Sequence, residues 1–448
     1  MSLHDPTRKS DGFAVTTAFS PDWIVGQRWF RAKQRPISSV HEVDQAALSI
    51  GELRVLEVRY ADGGASDHYL VPTVNGREPA DGDGAWISLV QAIADAAQLP
   101  GTRGRFKASS TDALAELLPS PHHAAEALAE RRLGVEQSNT SVLLGDRLIL
   151  KLYRLLEHGA NPDVEVSAFL TDAGFADTPA LAGAITYETD EGSAAAAMLQ
   201  AFVPSTGDAW AAMLSALASD PAGATAMAER IGEITARMHA ALASRTDDPA
   251  FPARAASVIE TAGWRASAER QLAQAVTAVS GEVHARMVEL APRITARFAD
   301  TFGSATGEAR VSRIHGDYHL GQLLARPDGG FAIIDFEGEP ARPLVERREP
   351  SSPLRDVAGM LRSLDYAART AERGGAFDAG AWLADARSAF IGAYGGIGPH
   401  EAGLLDAFEL EKACYEVRYE ANNRPDWLWL PLAAVERLAV GPHGSGLA

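Results

Sequence analysis

An α+β fold is predicted for this chain by three observations. The first 203 residues carry alternating, strand-like runs and a hairpin. Beyond Pro204 the pattern turns helical and rich in alanine. The length, 448 residues, suffices for two or three units with sizeable cores at roughly 100–200 residues per domain. The texture changes divide the chain into a small mixed subdomain (1–105), a β-rich part (106–203) and a helical part (204–448).

In the first part, Trp23 to Phe30 (WIVGQRWF) is rich in aromatic residues, and Glu52 to Tyr60 alternates apolar and polar residues as a half-buried strand does. Ala61 to Ser66 and Arg77 to Gly84 read as turns. The short G-x-G in the second turn lacks the third glycine of a dinucleotide fingerprint and is set aside. From Leu133, two apolar runs, Ser141 to Leu144 and Leu148 to Tyr153, flank Gly145-Asp146-Arg147. They predict a hairpin whose second strand carries Lys151. Asn161-Pro162-Asp163 then opens a helical pattern over Val164 to Leu170, with Glu165 near its start, and Ala197 to Val203 reads as one more strand. Met227, Ile231, Ile234, Met238 and Leu242 recur at helical spacing and draw one apolar stripe, with His239 beside it as a packing residue. Further helices are expected over 254–300, and prolines break the pattern in 341–353. No repeat of fixed period occurs.

A formal net charge of −18 argues against nucleic acid, whose phosphates call for a basic surface. Charged residues make up 22% and hydrophobic ones 46%, values usual for globular proteins, so the acidity is not a sign of disorder. Met1 to Phe13 holds no apolar stretch of the kind a secretory signal needs, and no run of eighteen apolar residues occurs; a cytoplasmic protein without membrane attachment is expected. Cys414 is the single cysteine, which excludes an internal disulfide and multi-cysteine metal sites and leaves helix packing as its expected role. The oligomeric state stays open, a monomer being sufficient. Only five lysines are present, Lys9, Lys33, Lys107, Lys151 and Lys412, in a chain that otherwise uses arginine. A lysine kept inside a predicted strand, Lys151, therefore invites a chemical reason.

The chemistry concentrates in Ile314 to Leu324 (IHGDYHLGQLL) and Ile334 to Pro340 (IDFEGEP). Asp317 falls in a short loop, Asp335 ends a predicted strand over Phe331 to Ile334, and Gln322 between them offers an amide oxygen. Two carboxylates and an amide suit a hard cation such as Mg²⁺, which takes a few oxygen ligands and keeps its waters. Phosphoryl transfer needs this set: one acid to orient and deprotonate an attacking hydroxyl, and an acid with an amide to hold magnesium on nucleotide phosphates. Protein kinases order these groups as Asp, four residues, Asn, then Asp-Phe-Gly. This chain has Asp317, four residues, Gln322, then Asp335-Phe336-Glu337, with Lys151 and Glu165 upstream in the places of the phosphate-binding ion pair. Singly, Asp335 could cap a turn, Lys151 could end a strand, and Glu165 and Asp356 could serve helix dipoles; the joint order and spacing favour catalysis. No GxxxxGK[ST] is present, which excludes the P-loop NTPases.

HGDYHLGQ, DFEGEP, SPLRDVAGMLRSLDYA, LGVEQSNTS, YEVRYEANNRPDWL and QRWF, in that company, resemble the maltokinase-like branch of the aminoglycoside phosphotransferase superfamily, and within it the actinobacterial glucosamine kinases. The resemblance covers most of the chain. It implies a bilobed, protein-kinase-like fold with an N-terminal cap subdomain, use of ATP and Mg²⁺, and a small-molecule sugar as acceptor. It assigns Asp317 as catalytic base, Gln322 and Asp335 to magnesium, and Lys151 with Glu165 to the phosphates. Gln137, Ser138, Asn139 and Thr140 would stand where protein kinases have a glycine-rich loop, and Gln200, Ala201, Phe202 and Val203 would form the hinge against adenine. His315 braces the catalytic loop in this superfamily and, with Asp317 and Glu337, is placed on the acceptor side.

For the acceptor itself, Lys412, Glu416 and Glu420 fall four apart on one helix face, with Tyr415 and Tyr419 beside them, and Arg424-Pro425-Asp426-Trp427 ends the helix. Carboxylates next to phenol and indole rings suit a sugar, although a solvated salt-bridge face explains the same spacing. Tyr415, Glu416, Glu420, Arg424, Asp426 and Trp427 are the expected substrate residues. Asp426 and Trp429 depart from the maltokinase pattern. An added carboxylate suits the ammonium group of glucosamine, so glucosamine 6-phosphate is the expected product and maltose 1-phosphate the alternative. Aminoglycoside phosphorylation and a non-catalytic, ligand-binding kinase fold are the remaining readings.

Overall fold

The computed structural model describes residues 19–118, 128–134, 138–245, 247–340, 342–375 and 378–440, and Gln137 lies outside them. The chain divides into two compact units, Met1–His158 with Gly183–Leu199, and Gly159–Ala182 with Gln200–Ala448.

In the first unit, β1 (Ile37–Ala47), β2 (Glu52–Tyr60) and β3 (Asp67–Thr73) form an antiparallel meander, with Val40 opposite Val58 and Leu56 opposite Tyr69. The alternation in β2 turns Leu56, Val58 and Tyr60 to one face. Phe19, Ile24, Trp29 and Phe30 pack there, and this burial accounts for the aromatic run before the sheet. Each large side chain so buried contributes on the order of 1.5–3 kcal/mol. The second sheet has seven strands: β4 (Gln98–Pro100), β5 (Arg105–Ser110), β6 (Glu130–Leu133), β7 (Asn139–Leu144), β8 (Leu148–Tyr153), β9 (Leu181–Thr189) and β10 (Gly192–Ala201). Their order is β4-β5-β9-β10-β8-β7-β6. The expected hairpin is β7–β8. Gly145 and Asp146 sit at its tip with φ of 57° and 52°, the left-handed pair that a tight turn between twisted strands requires.

Two polar groups tie the sheets of this unit together. Asp44, on β1, accepts from the backbone N–H groups of Thr102 (2.6 Å) and Gly104 (2.8 Å) and from the Tyr187 hydroxyl (2.7 Å), so the loop between β4 and β5 is gathered around one buried carboxylate. Arg154, fully buried just after β8, donates to Thr140 Oγ1 on β7 (2.8 Å), pairs with Glu78 (2.8 Å) and lies over the Trp29 ring (4.8 Å). Burial pushes its guanidinium down to about 10 despite Glu78.

The second unit is mostly helical. Asn161 caps α1 (Pro162–Asp172) by accepting from Asp163 N–H (2.9 Å), and Pro162 at the first helical position supplies a preset φ. There follow α2 (Ala209–Ser219), α3 (Pro221–Leu242), α4 (Val258–Ala278) and α5 (Gly281–Ser304). A β-hairpin of β11 (Leu323–Ala325) and β12 (Phe331–Ile333) comes next, and the unit continues through α6 (Leu354–Gly374), α7 (Ala379–Tyr394), α8 (Pro399–Asn423) and α9 (Trp429–Val440). The predicted stripe lies on α3, where Ile231, Ile234, Met238 and Leu242 are buried in a continuous core with residues of α6, α7 and α8. Cys414 lies in that core on α8, fully buried; burial and the nearby Glu411 and Glu416 push its thiol well above the ordinary range. No helix among the described residues is long and apolar enough to cross a membrane.

Candidate active site

Asp317 lies in the loop that leads into β11, and this loop is held at several points. Asp356, buried in the first turn of α6, accepts from the backbone N–H groups of His315 (2.8 Å) and Gly316 (2.9 Å) and from His239 Nε2 (3.0 Å). Burial alone would raise the Asp356 carboxyl; His239, His315 and the Gly316 N–H together outweigh it, and the net shift is downward. His239 Nδ1 meets the Tyr394 hydroxyl at 3.0 Å, so a residue read as packing is a hydrogen-bonded link between α3, α6 and α7. Gly359 allows α6 to approach this closely: a Cβ there would come within 2.6 Å of the Tyr318 carbonyl oxygen. His315 uses both ring nitrogens inside the fold, Nδ1 accepting from Asp317 N–H (3.3 Å) and Nε2 meeting the Ile334 carbonyl (3.0 Å). The ring thus braces the loop, and its place is in the scaffold rather than against an acceptor.

Asp335 follows β12 with φ of 67°, a left-handed conformation that costs an L-aspartate free energy and recurs at functional sites. Gln322 donates its amide N–H to Asp335 Oδ2 (3.3 Å), which ties the amide to the carboxylate. Asp163, Asp335 and Glu337 each place a carboxylate oxygen within 4.8 Å of the others, and the Phe336 N–H donates to Asp163 Oδ1 (3.0 Å). An all-oxygen set of three carboxylates and an amide fits magnesium by donor type. Glu337, expected beside the acceptor, belongs to this cluster. Asp163 was legible only as a helix-start residue, because its partners lie about 170 positions away.

Glu165 is engaged by two arginines of its own unit: Arg313 (2.7 Å) to Oε2 and Arg348 (2.6 Å) to Oε1. Burial opposes its ionisation, but these partners hold it below the usual glutamate range. Within its own unit Glu165 clamps the segment before the catalytic loop through these two arginines. Lys151 is buried on β8, opposite Ser141, with its Nζ 5.5 Å from the Tyr153 ring centroid. Asn139 and Thr140 are buried on β7, and Ser138 precedes it. Gln200 and Ala201 end β10, with Phe202 and Val203 following.

A cavity of about 490 Å³ opens beside Asp317. Its walls include Trp264, Ser267, Glu339, Arg342, Lys412 and Tyr415. Lys412 reaches Glu339 (3.1 Å) and Asp317 (3.3 Å), and Arg342 donates to the other oxygen of Glu339 (2.7 Å). Burial would raise Glu339, but Lys412 and Arg342 hold it at about 2. Of the residues expected on the sugar, Tyr415 lines this cavity and Glu416, Glu420, Arg424, Asp426 and Trp427 do not. Glu416 is buried under the Arg362 guanidinium (2.7 and 2.9 Å), and burial raises its carboxyl despite that partner. Glu420 accepts from Arg424 (2.6 and 2.9 Å) and Tyr366 (3.1 Å). Spacing alone placed these acids on one face; their partners, from α6 for the most part, take up their charges. Asp426 is exposed, and Trp427 lies under Arg373 (5.0 Å) and Arg424 (5.6 Å).

The phosphotransferase enzyme family profile matches residues 129–390, over half of the chain, and takes in the loop, the acidic cluster and Lys151. The chain belongs to this family. A maltokinase N-terminal cap domain profile matches residues 23–98, the meander and the helix after it. Family members similar over most of their length include a glucosamine kinase of Streptacidiphilus jiangxiensis, 30% identical over 86% of this chain and 89% of that one. A second, from Mycolicibacterium smegmatis, is 31% identical over 86% and 92%. A solved glucosamine kinase in complex with glucosamine, ADP and inorganic phosphate superposes with a TM-score of 0.70 at 26% identity, covering 90% of this chain and 94% of that one.

Proposed function

We propose that this phosphotransferase is an ATP-dependent glucosamine kinase, transferring the γ-phosphoryl group of ATP to the 6-hydroxyl of glucosamine. The observation that carries the reading is the 30% and 31% identity to glucosamine kinases of two organisms over 86% of the chain. The site's chemistry supports it. Asp317, at the wall of a cavity wide enough for a sugar, takes the proton of the acceptor hydroxyl as its oxygen bonds to phosphorus and the bond from phosphorus to the β-phosphate oxygen breaks, releasing ADP. Asp335, Gln322, Asp163 and Glu337 are the residues that would hold magnesium. When bound, the ion neutralises charge on the nucleotide phosphates. Lys151, Ser138 and the first residues of β7, Asn139 and Thr140, are assigned to the phosphates, Gln200 to Val203 to adenine, and Tyr415, which lines the cavity, to the sugar. Positioning and electrostatics then supply the rate. An ATP-consuming reaction and a single cysteine fit a cytoplasmic setting.

The cap profile favours one second reading, maltose as acceptor. Phosphorus-31 NMR after incubation of the protein with Mg·ATP and equimolar glucosamine, maltose and glucose separates the two, with Asp317→Asn as the blank. Glucosamine 6-phosphate is expected; maltose 1-phosphate would replace the first reading with the second. Asp317→Asn is expected to cut turnover about 10²–10⁴-fold with ATP binding nearly intact. Turnover within a few-fold of wild type would remove Asp317 from its role.

A further inference from the structure

Lys412 is one of five lysines in a chain that prefers arginine, and the nucleotide-binding reading, which uses Lys151, gives it no task. It stands on α8, 95 positions from Asp317 in sequence, with Nζ 3.3 Å from Asp317 Oδ1 and 3.1 Å from Glu339 Oε1 and 4.9 Å from the Tyr415 ring centroid. Glu339 is itself fixed by Arg342 through its second oxygen (2.7 Å). Burial would lower the Lys412 ammonium, but Glu339 and Asp317 outweigh it and the net shift is upward, so the group stays charged. The result is a chain of alternating charge, Arg342, Glu339, Lys412, Asp317, whose far end is anchored and whose near end is the base. A compact ammonium can sit between two carboxylates; a guanidinium fork at the same place would favour bidentate pairing with one.

We propose that Lys412 is the positioning residue of Asp317: by holding Oδ1 it turns Oδ2 toward the acceptor hydroxyl, with Glu339 and Arg342 fixing the lysine in turn. This rests on the reading of Asp317 as the base. Lys412 acts on turnover through Asp317 and not through nucleotide binding. A misplaced base costs on the order of 10²-fold in rate, and residues that act as one unit are not additive when removed together.

The test is a double-mutant cycle on the full-length protein, with wild type, Lys412→Met, Asp317→Asn and the double variant measured by single-turnover transfer from γ-³²P-ATP to glucosamine. ATP affinity is followed by calorimetry and folding by thermal unfolding. Lys412→Met is expected to lower the transfer rate about 10²-fold with the ATP dissociation constant within about threefold of wild type, and to add less than about threefold once Asp317 is already asparagine. Lys412→Arg is expected to recover part of the loss. Should Lys412→Met fail to fold, Glu339→Gln takes its place in the cycle, with a smaller loss that again vanishes in the Asp317→Asn background. A rate within threefold of wild type, or a loss repeated in full when Asp317 is asparagine, overturns the proposal. Wild-type protein that phosphorylates maltose but not glucosamine changes the substrate and leaves the cycle to be read with maltose; protein that transfers to neither sugar overturns the base assignment together with this proposal.

Discussion

Replacing Asp356 by asparagine tests how the catalytic loop is held. The carboxylate receives two backbone N–H groups, from His315 and Gly316, one on each oxygen, and His239 Nε2 approaches the first of these oxygens. Asparagine keeps one oxygen and turns an NH₂ toward the other donor, so at least one buried backbone N–H loses its acceptor. That costs about 1–3 kcal/mol, and the surviving bond loses its charge assistance, roughly another 1 kcal/mol. The expected loss is therefore about 2–4 kcal/mol. At roughly 2–4 °C per kcal/mol for a unit of this size, the unfolding midpoint should fall by about 4–16 °C. Because the same bonds place Asp317, turnover should drop on the order of 10²-fold while ATP affinity changes little. Differential scanning calorimetry at pH 7 and steady-state kinetics read the two effects. A midpoint within 1 °C of wild type together with turnover within twofold would refute the claim that Asp356 holds the loop. The wild-type carboxyl lies below the ordinary aspartate range, so its contribution is present in full above about pH 4 and is lost as the pH falls through the lower native value.

Two further outcomes follow from buried and exposed acids of the helical unit. Glu409, fully buried between Arg387 (2.9 Å) and Arg437 (3.1 Å), is held at about 2 by these partners against its burial. Glu409→Gln leaves the partly buried Arg387 without its counter-charge, so stability at pH 7 should fall by about 2–4 kcal/mol in urea unfolding, and an unchanged midpoint would reject the pairing. In wild type this stabilisation is complete above about pH 4.3 and declines as the pH drops toward 2. Asp426→Asn, at an exposed position beside Trp427, should raise KM for glucosamine more than for glucose if the acid meets the ammonium group; equal changes for both sugars would remove Asp426 from the site.

What could be read from the sequence was local. The β7–β8 hairpin with Lys151, the α3 stripe, the helix opened by Asn161-Pro162 and the strand before Asp335 each follow from periodicity or turn residues within a short stretch of sequence. What could not be read was which charges meet. Glu165 is 148 positions from Arg313, Glu416 is 54 from Arg362, and Asp163 is 173 from the Phe336 N–H it accepts from. The helix-start pattern placed Asp163 and Glu165 and helical spacing placed Glu416, but neither signal names a partner, because partners are chosen by tertiary packing. Glu416 and Glu420 illustrate the consequence: two acids at ligand-like spacing are neutralised from within. Lys412 is the converse, a lysine whose spacing suggests a solvated face and which reaches the catalytic loop.

The lone cysteine gives this fold a built-in clock. Cys414 lies two residues from Lys412 on the inner side of α8, sealed from solvent and with its thiolate disfavoured. A thiol reagent can therefore reach the native protein only when that helix opens, and with no second cysteine to contribute, the labelling rate is a direct reading of how often it does. Substrates that draw the cavity together would slow the clock, and no engineered label is needed to follow it.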